Sequence, residues 1–165
     1  MNERVSKALD NIDMTYDELI DIANDTCRDV VGDLDDMMRS AYDNIENLNN
    51  ESIRGLLLRL SLRSYSFAEI KEKAQFKAVL GEALRKEAYA KNFNTAEGTV
   101  AVRENLSIIN TASEILAEEI YSLVANIFKI KLDETHRAVD ALKSVLMSRM
   151  QEAKMASVDG FVGDN

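Results

Sequence analysis

From Val100 to Ala156 the chain holds neither glycine nor proline. Helix gains most from that absence, because inside it proline costs about 3 kcal/mol and glycine about 1 kcal/mol relative to alanine. A continuous helix over this stretch would reach about 85 Å, more than a small globular domain spans. Its apolar face is regular. Val102, Leu106, Ile109, Ser113, Leu116, Ile120, Leu123, Ile127 and Ile130 follow by steps of four and three, the heptad seam of a coiled coil with Ser113 as its polar member. The stripe then slips near Lys129–Asp133 to Phe128, Leu132, Thr135, Val139, Leu142 and Leu146. Such a slip means a bend, a change of partner, or the drift of a straight helix. The seam packs either on the chain's own earlier helices or on other copies. The segment outruns the partners within the chain, which favours other copies, with Leu106, Ile109, Leu116, Ile120, Leu123 and Ile127 as oligomerisation contacts.

The preceding chain also reads as helix. The protein has no proline and only six glycines in 165 residues. Thr15-Tyr-Asp-Glu18 has capping-box form, and Leu19, Ile20, Ala23, Cys27 and Val30 follow at helical spacing. Gly32 is expected to interrupt that helix. Leu34, Met37, Met38, Ala41, Tyr42 and Ile45 then share a face, and Asn50 is placed as the N-cap of a helix carrying Leu56, Leu57, Leu58, Leu60 and Leu62. Ser66-Phe-Ala-Glu69 repeats the capping-box form, either starting a new helix or sitting within a long one. Asn92, Asn94 and Gly98 mark a turn, after which Thr99 caps the last segment. The expected fold is all-α: an elongated helical bundle with a long coiled-coil-like C-terminal helix, oligomeric. Three regions are expected: acidic helical residues 1–52, a helical hairpin or bundle over 53–156, and a flexible acidic tail over 157–165.

Charge divides along these regions. The net charge is −9. Residues 1–52 hold 4 Lys and Arg against 14 Asp and Glu, whereas residues 53–154 hold 16 against 13. Such asymmetry suggests different partners for different regions, although an acidic first third is also an ordinary solvated surface. The single cysteine, Cys27, forms no internal disulfide. No run approaches the roughly 18 apolar residues of a membrane span, and MNERVSKALDNID lacks the apolar core of a secretory signal. The expectation is a soluble protein of the cytoplasm, the host cell's if the chain is viral.

Catalytic chemistry has few materials here. His136 is the only histidine, which excludes a di-iron site of two Glu-x-x-His pairs and a multi-histidine zinc site. The glycines lie singly, so no phosphate-cradling loop forms. The acidic run Asp29–Asp36 lacks the ligand order of a calcium loop. No enzyme activity, cofactor or metal is expected.

Residues 71–91, KEKAQFKAVLGEALRKEAYAK, set six cations against three glutamates. Lys73, Lys77 and Arg85 are separated by multiples of four and form a slanting strip. Gly81, costly mid-helix, implies close approach of another backbone, from a helix or a nucleic acid. Arg85, Lys86 and Lys91 stand beside the turn with Tyr89, joined by Arg103 beyond it. Cations beside an aromatic ring hold single strands, phosphates on the charges and a base on the ring. Charge alone favours the plainer reading, in which these same lysines are a solvated face paired to glutamates.

The pieces ALRKEAYAKN (83–92), the Thr95–Gly98 turn, RENLS (103–107) and VDALKS (139–144), followed by Met147 and Met150, resemble in layout the UvsY-like recombination mediators of T-even phages and their relatives. The resemblance covers residues 78–156. It implies a small non-enzymatic protein forming a ring-like homo-oligomer, which binds single-stranded DNA and helps a recombinase displace a single-strand-binding protein. The family's DNA-contacting cations lie in the helix before the break, so Arg85 and Lys86 take that role by resemblance. Lys73, Lys77, Tyr89, Lys91 and Arg103 are nucleic-acid candidates from spacing and position. The family is usually basic, and residues 1–52 have no counterpart in it. In a ring, sparse cations at each bend would form one track by avidity.

Three other readings fit the same residues: a viral structural or assembly protein, an inhibitor or adaptor whose acidic first third occupies a nucleic-acid-binding surface, and a helical subunit of a ribonucleoprotein.

Overall fold

The capping box at Thr15 forms as its pattern requires. The Glu18 N–H donates to Thr15 Oγ1 at 3.3 Å, and the Thr15 N–H returns to Glu18 Oε2 at 2.6 Å. Those hydrogen bonds favour the charged carboxylate and lower the Glu18 pKa. A computed structural model describes residues 3–162 of the chain, and there it contains five helices and no strand: α1 (Glu3–Ile12), α2 (Tyr16–Asn44), α3 (Asn50–Thr95), α4 (Val100–Asn110) and α5 (Ala112–Val162). Among the described residues no helix is long and apolar enough to cross a membrane.

The helices divide between two compact units. Unit 1 takes residues up to Asp29 together with Glu69–Lys129; unit 2 takes Val30–Ala68 together with residues from Ile130 on. Residues 1–52 are therefore shared between the units. α2, α3 and α5 each contribute to both.

Unit 1 closes around α1, a helix that no motif in the sequence singled out and that packs on α4. Val5, Ala8 and Leu9 bury one face of α1 with Leu19, Ala112, Ile115 and Leu116, and Met14, Ile108, Ile120 and Leu123 pack around them. Asp13 ends α1 in the left-handed region, φ 57°. The Met14 N–H then reaches the Leu9 carbonyl at 3.2 Å. This is a Schellman stop, and Met14 supplies its hydrophobic contact.

In unit 2 the buried apolar residues are Val31, Leu34, Met38 and Ala41 of α2, Ile53, Leu60 and Phe67 of α3, and Ala138, Val139 and Leu142 of α5. The turn between α2 and α3 is clamped by Arg149. Its guanidinium donates to the carbonyls of Ile45 (2.9 Å), Glu46 (3.2 Å) and Leu48. Asn49, not Asn50, caps α3, its Oδ1 accepting from the Ser52 N–H at 2.7 Å.

The expected break at Gly32 is corrected, and alternatives that the sequence leaves open are decided. α2 passes through Gly32 without a break, because one glycine costs only about 1 kcal/mol while Ala23, Cys27, Val31, Leu34, Met38 and Ala41 stay buried in phase on either side. Ser66 and Glu69 lie inside α3. The stretch from Val100 is two helices, parted at Thr111. There the Thr111 N–H is shared between the Ser107 and Ile108 carbonyls, and Thr111 Oγ1 donates to Ser107 O at 2.7 Å. Such back-bonding bends helices. α5 continues to Val162, so helix takes in residues 157–162 of the expected tail; residues 163–165 lie outside the described residues.

Gly32 and Gly55 both sit inside helices, and a Cβ at either would meet open space. Gly32→Ala and Gly55→Ala should each raise the unfolding free energy by about 1 kcal/mol, read from urea denaturation midpoints at unchanged slope. A loss of stability would mean that these positions need their glycine.

Candidate nucleic-acid interface

In unit 1, α3 carries the basic segment against α5. Gly81 is the point of closest approach: a Cβ there would lie 3.3 Å from the Cα of Glu118. The backbone predicted to come near Gly81 is thus a neighbouring helix. One turn on, the Arg85 Nε–H donates to Glu118 Oε2, and the two side chains are only 13% and 24% exposed. Arg85 therefore faces α5, as part of the helix–helix contact.

The lysines divide by partner. Lys73 bonds Glu69 Oε1 at 2.6 Å and Lys86 bonds Glu82 Oε1 at 2.5 Å, each one helical turn back on α3. Hydrogen bonding from these ammonium groups, then their charge, lowers the pKa of both glutamates. Lys77 sits over the Tyr121 ring, 5.6 Å from its centroid. Lys91 is exposed. Neither Lys77 nor Lys91 has a carboxylate partner among the described residues. With Leu84 midway they are spaced by sevens, so they share one line of α3, and Lys86 lies off it. Beside that line α3 and α5 form an apolar groove of about 760 Å³, floored by Ile70, Ala74, Val124 and Phe128 with Lys77 and Tyr121 at its edge.

At the bend, Tyr89 and Phe93 stack with centroids 6.3 Å apart and planes at 17°. Arg103 closes the turn from α4. Its Nε and Nη2 donate to the Phe93 carbonyl at 3.0 and 2.7 Å, and its guanidinium lies 4.3 Å above the Phe93 ring. Gly98 takes φ +113°, a conformation nearly reserved for glycine. Thr99 occupies the N-cap of α4 but makes no side-chain cap bond. Asn92 Nδ2 adds a bond to the Asn110 carbonyl at 3.3 Å.

Of the seven nucleic-acid candidates, the structure brings Tyr89 and Arg103 together through Phe93 and sets Lys77 and Lys91 on one line. Lys73 and Lys86 stay exposed within local ion pairs, and Arg85 turns to α5. Phe93 and Glu118 were not anticipated. Phe93 had a signal, its spacing of four from Tyr89; nothing in the sequence singles out Glu118 among the acids of α5.

The oligomerisation candidates are placed unevenly. Leu116 is buried in unit 1, and Ile120 and Leu123 pack against the same core. Ile127 is half-buried. Leu106 and Ile109 remain 38% and 45% exposed, and Val102 on the same line 45%. No protein-family model, no curated protein and no solved structure matches the chain.

Proposed function

We propose that this chain is a non-enzymatic recombination mediator of the phage type, which binds single-stranded DNA and assists recombinase loading against a single-strand-binding protein. The layout of residues 78–156 supports the reading, and one observation carries it. Lys77 and Lys91 lie along one line of α3 with no carboxylate partner among the described residues, so both ammonium groups are available to phosphates. Lys86, with 65% of its side chain exposed, joins them by giving up a weak surface pair. Arg85 braces α3 on α5 and Arg103 closes the bend, so both act as frame rather than as contacts. The overall negative charge is no obstacle, since non-specific binding depends on local charge and on counterions released at each phosphate. Few cations per chain make the proposal one of several copies acting together, with Val102, Leu106 and Ile109 as the open part of the expected seam.

The test is a titration of a labelled dT oligonucleotide at two salt concentrations. Lys77→Ala/Lys91→Ala should weaken binding about tenfold and flatten the logarithmic salt slope by about 1.4, or about 0.7 for each phosphate left without its lysine. Light scattering with and without the oligonucleotide should show a multimer. Unchanged affinity and slope, or a monomer indifferent to DNA, ends this reading.

A second reading has its own observation. Asp17, Asp21, Asp25 and Asp29 of α2 recur every four residues, all exposed, and only Asp25 has a cation partner among the described residues, Arg28. Like charges at this spacing cost about 0.2–0.5 kcal/mol per pair. A line of carboxylates some 6 Å apart along the helix suits an adaptor that occupies a basic nucleic-acid-binding surface. In that case the chain would displace DNA from a basic DNA-binding domain, and Asp17→Asn/Asp21→Asn/Asp29→Asn would abolish the displacement.

A further inference from the structure

We infer that the first half of α3, within unit 2, is a second contact for single-stranded nucleic acid, made by Arg54, Arg59 and Tyr65. The inference rests on the proposed reading that the protein binds single strands, and it adds a site that neither the basic segment nor the resemblance includes.

Leu58, Leu62 and Tyr65 follow by steps of four and three and share one face of α3. They are 62%, 62% and 84% exposed. Tyr65 is thus an aromatic ring almost wholly in solvent. Arg54 and Arg59 flank this face on its two sides, one turn before Leu58 and one residue after it. Neither has a carboxylate partner among the described residues. Among the described residues the Arg54 guanidinium meets the Met150 sulfur, at 4.0 Å, a weak acceptor. Arg63, the third arginine of this stretch, is held by Asp33. Between residues 50 and 65 the sequence offers three arginines and a single acid, Glu51.

This surface therefore carries two cations without a carboxylate partner among the described residues, as many as the basic segment, where Lys73, Arg85 and Lys86 are paired and Lys77 and Lys91 are not. Charge of this kind selects an anionic occupant. Guanidinium forks match phosphate oxygens two at a time and lie flat on bases. A solvent-facing tyrosine provides the stacking platform, which tolerates any base. Leu58 and Leu62 widen the apolar floor on which a base edge or sugar rests. An acidic helical protein would pair both guanidinium heads with carboxylates, but it would bring no flat base to the solvent-facing Tyr65 ring. Single-stranded nucleic acid uses all three side chains, with phosphates on the two guanidinium heads and a base on the ring.

The experiment titrates a labelled dT oligonucleotide of about 20 nucleotides into the intact 165-residue chain. Tyr65→Ala should weaken binding about tenfold while Tyr65→Phe stays within about twofold, since the ring and not the hydroxyl stacks. Arg54→Gln/Arg59→Gln should flatten the salt slope by about 1.4, or about 0.7 for each phosphate left without its arginine. These side chains are exposed, so thermal denaturation should be unchanged. The chain has no tryptophan and five tyrosines, so quenching of tyrosine emission that disappears in Tyr65→Phe gives an independent readout. Should the wild type bind, the Lys77/Lys91 variant lose affinity, and these variants bind as wild type, this second contact is refuted while the mediator reading stands. Should the wild type not bind, both fall. Should Leu58→Ser/Leu62→Ser change the native mass while the Tyr65 and arginine variants leave DNA affinity alone, the face belongs to a protein contact and the inference is overturned.

Discussion

Arg149→Ala will lower the unfolding free energy by about 3 kcal/mol. The turn after α2 leaves carbonyls with no helical partner, as every helix C-terminus does. In unit 2 one guanidinium meets three of the carbonyls there, those of Ile45, Glu46 and Leu48. A hydrogen bond from a charged donor contributes about 1.5–3 kcal/mol. The three do not add in full, because water can replace the bond to the exposed Glu46 carbonyl. Favourable alignment of a cation with the end of α2 acts in the same direction. Arg149→Lys should recover less than half of the loss, since an ammonium is a point charge and cannot fork across three acceptors. Urea denaturation gives the total. Hydrogen exchange at Ser52 and Ile53, whose N–H groups bond Asn49 Oδ1 and Asn49 O, should quicken if the clamp sets the start of α3. A loss below about 1 kcal/mol would mean that water serves these carbonyls as well as Arg149 does.

Glu118→Ala should cost a similar amount, about 3 kcal/mol, for a different reason. The close passage of α3 over α5 at Gly81 confines the Arg85–Glu118 pair. Removing the carboxylate leaves a guanidinium with little access to water, which is the expensive way to break a shielded pair. Glu118→Gln keeps an acceptor and should cost about half as much. Replacing both partners, as Arg85→Met/Glu118→Leu, should return the stability to within about 1 kcal/mol of wild type, since apolar pairs of like volume often substitute for ion pairs. A double-mutant cycle measures the coupling. A double variant as unstable as the two single losses summed would show that the two side chains are uncoupled. This result also governs DNA experiments at Arg85, where weaker binding has to be separated from a loosened α3–α5 contact.

The all-helical fold was readable wherever one residue type dictates local structure. The Thr15–Glu18 box, the turn at Gly98 and the close approach at Gly81 depend on residues with few alternatives. What misled was an apolar-only count. Along α4 and into α5 the buried line passes through Ser107 and Thr111, and further on through Thr135. Each hydroxyl donates to the carbonyl four residues back, so these positions are buried at little cost yet count as polar in a heptad tally. The seam read from aliphatic spacing consequently lies to one side of the buried line. Its second register came closer: Thr135, Val139 and Leu142 are buried. Within the basic segment, charge counts carry no information about partners across the bundle. Nothing in the spacing distinguishes Arg85, bound to Glu118, from Lys91, which has no such partner among the described residues. The exposed face of Leu58, Leu62 and Tyr65 was obscured in the same way. A leucine-rich run reads as core until the structure shows Ile53, Leu60 and Phe67 filling that role.

The division of the helices between two units has a consequence for how the chain can be made. Each unit is assembled from two separated stretches, the first needing residues as far as Lys129 and the second residues from Ile130 on. A ribosome therefore has to extend the chain through α3 and into α5 before either unit has all its parts, and the α2–α3 turn waits about a hundred residues for Arg149. No single proteolytic cut can free one unit whole.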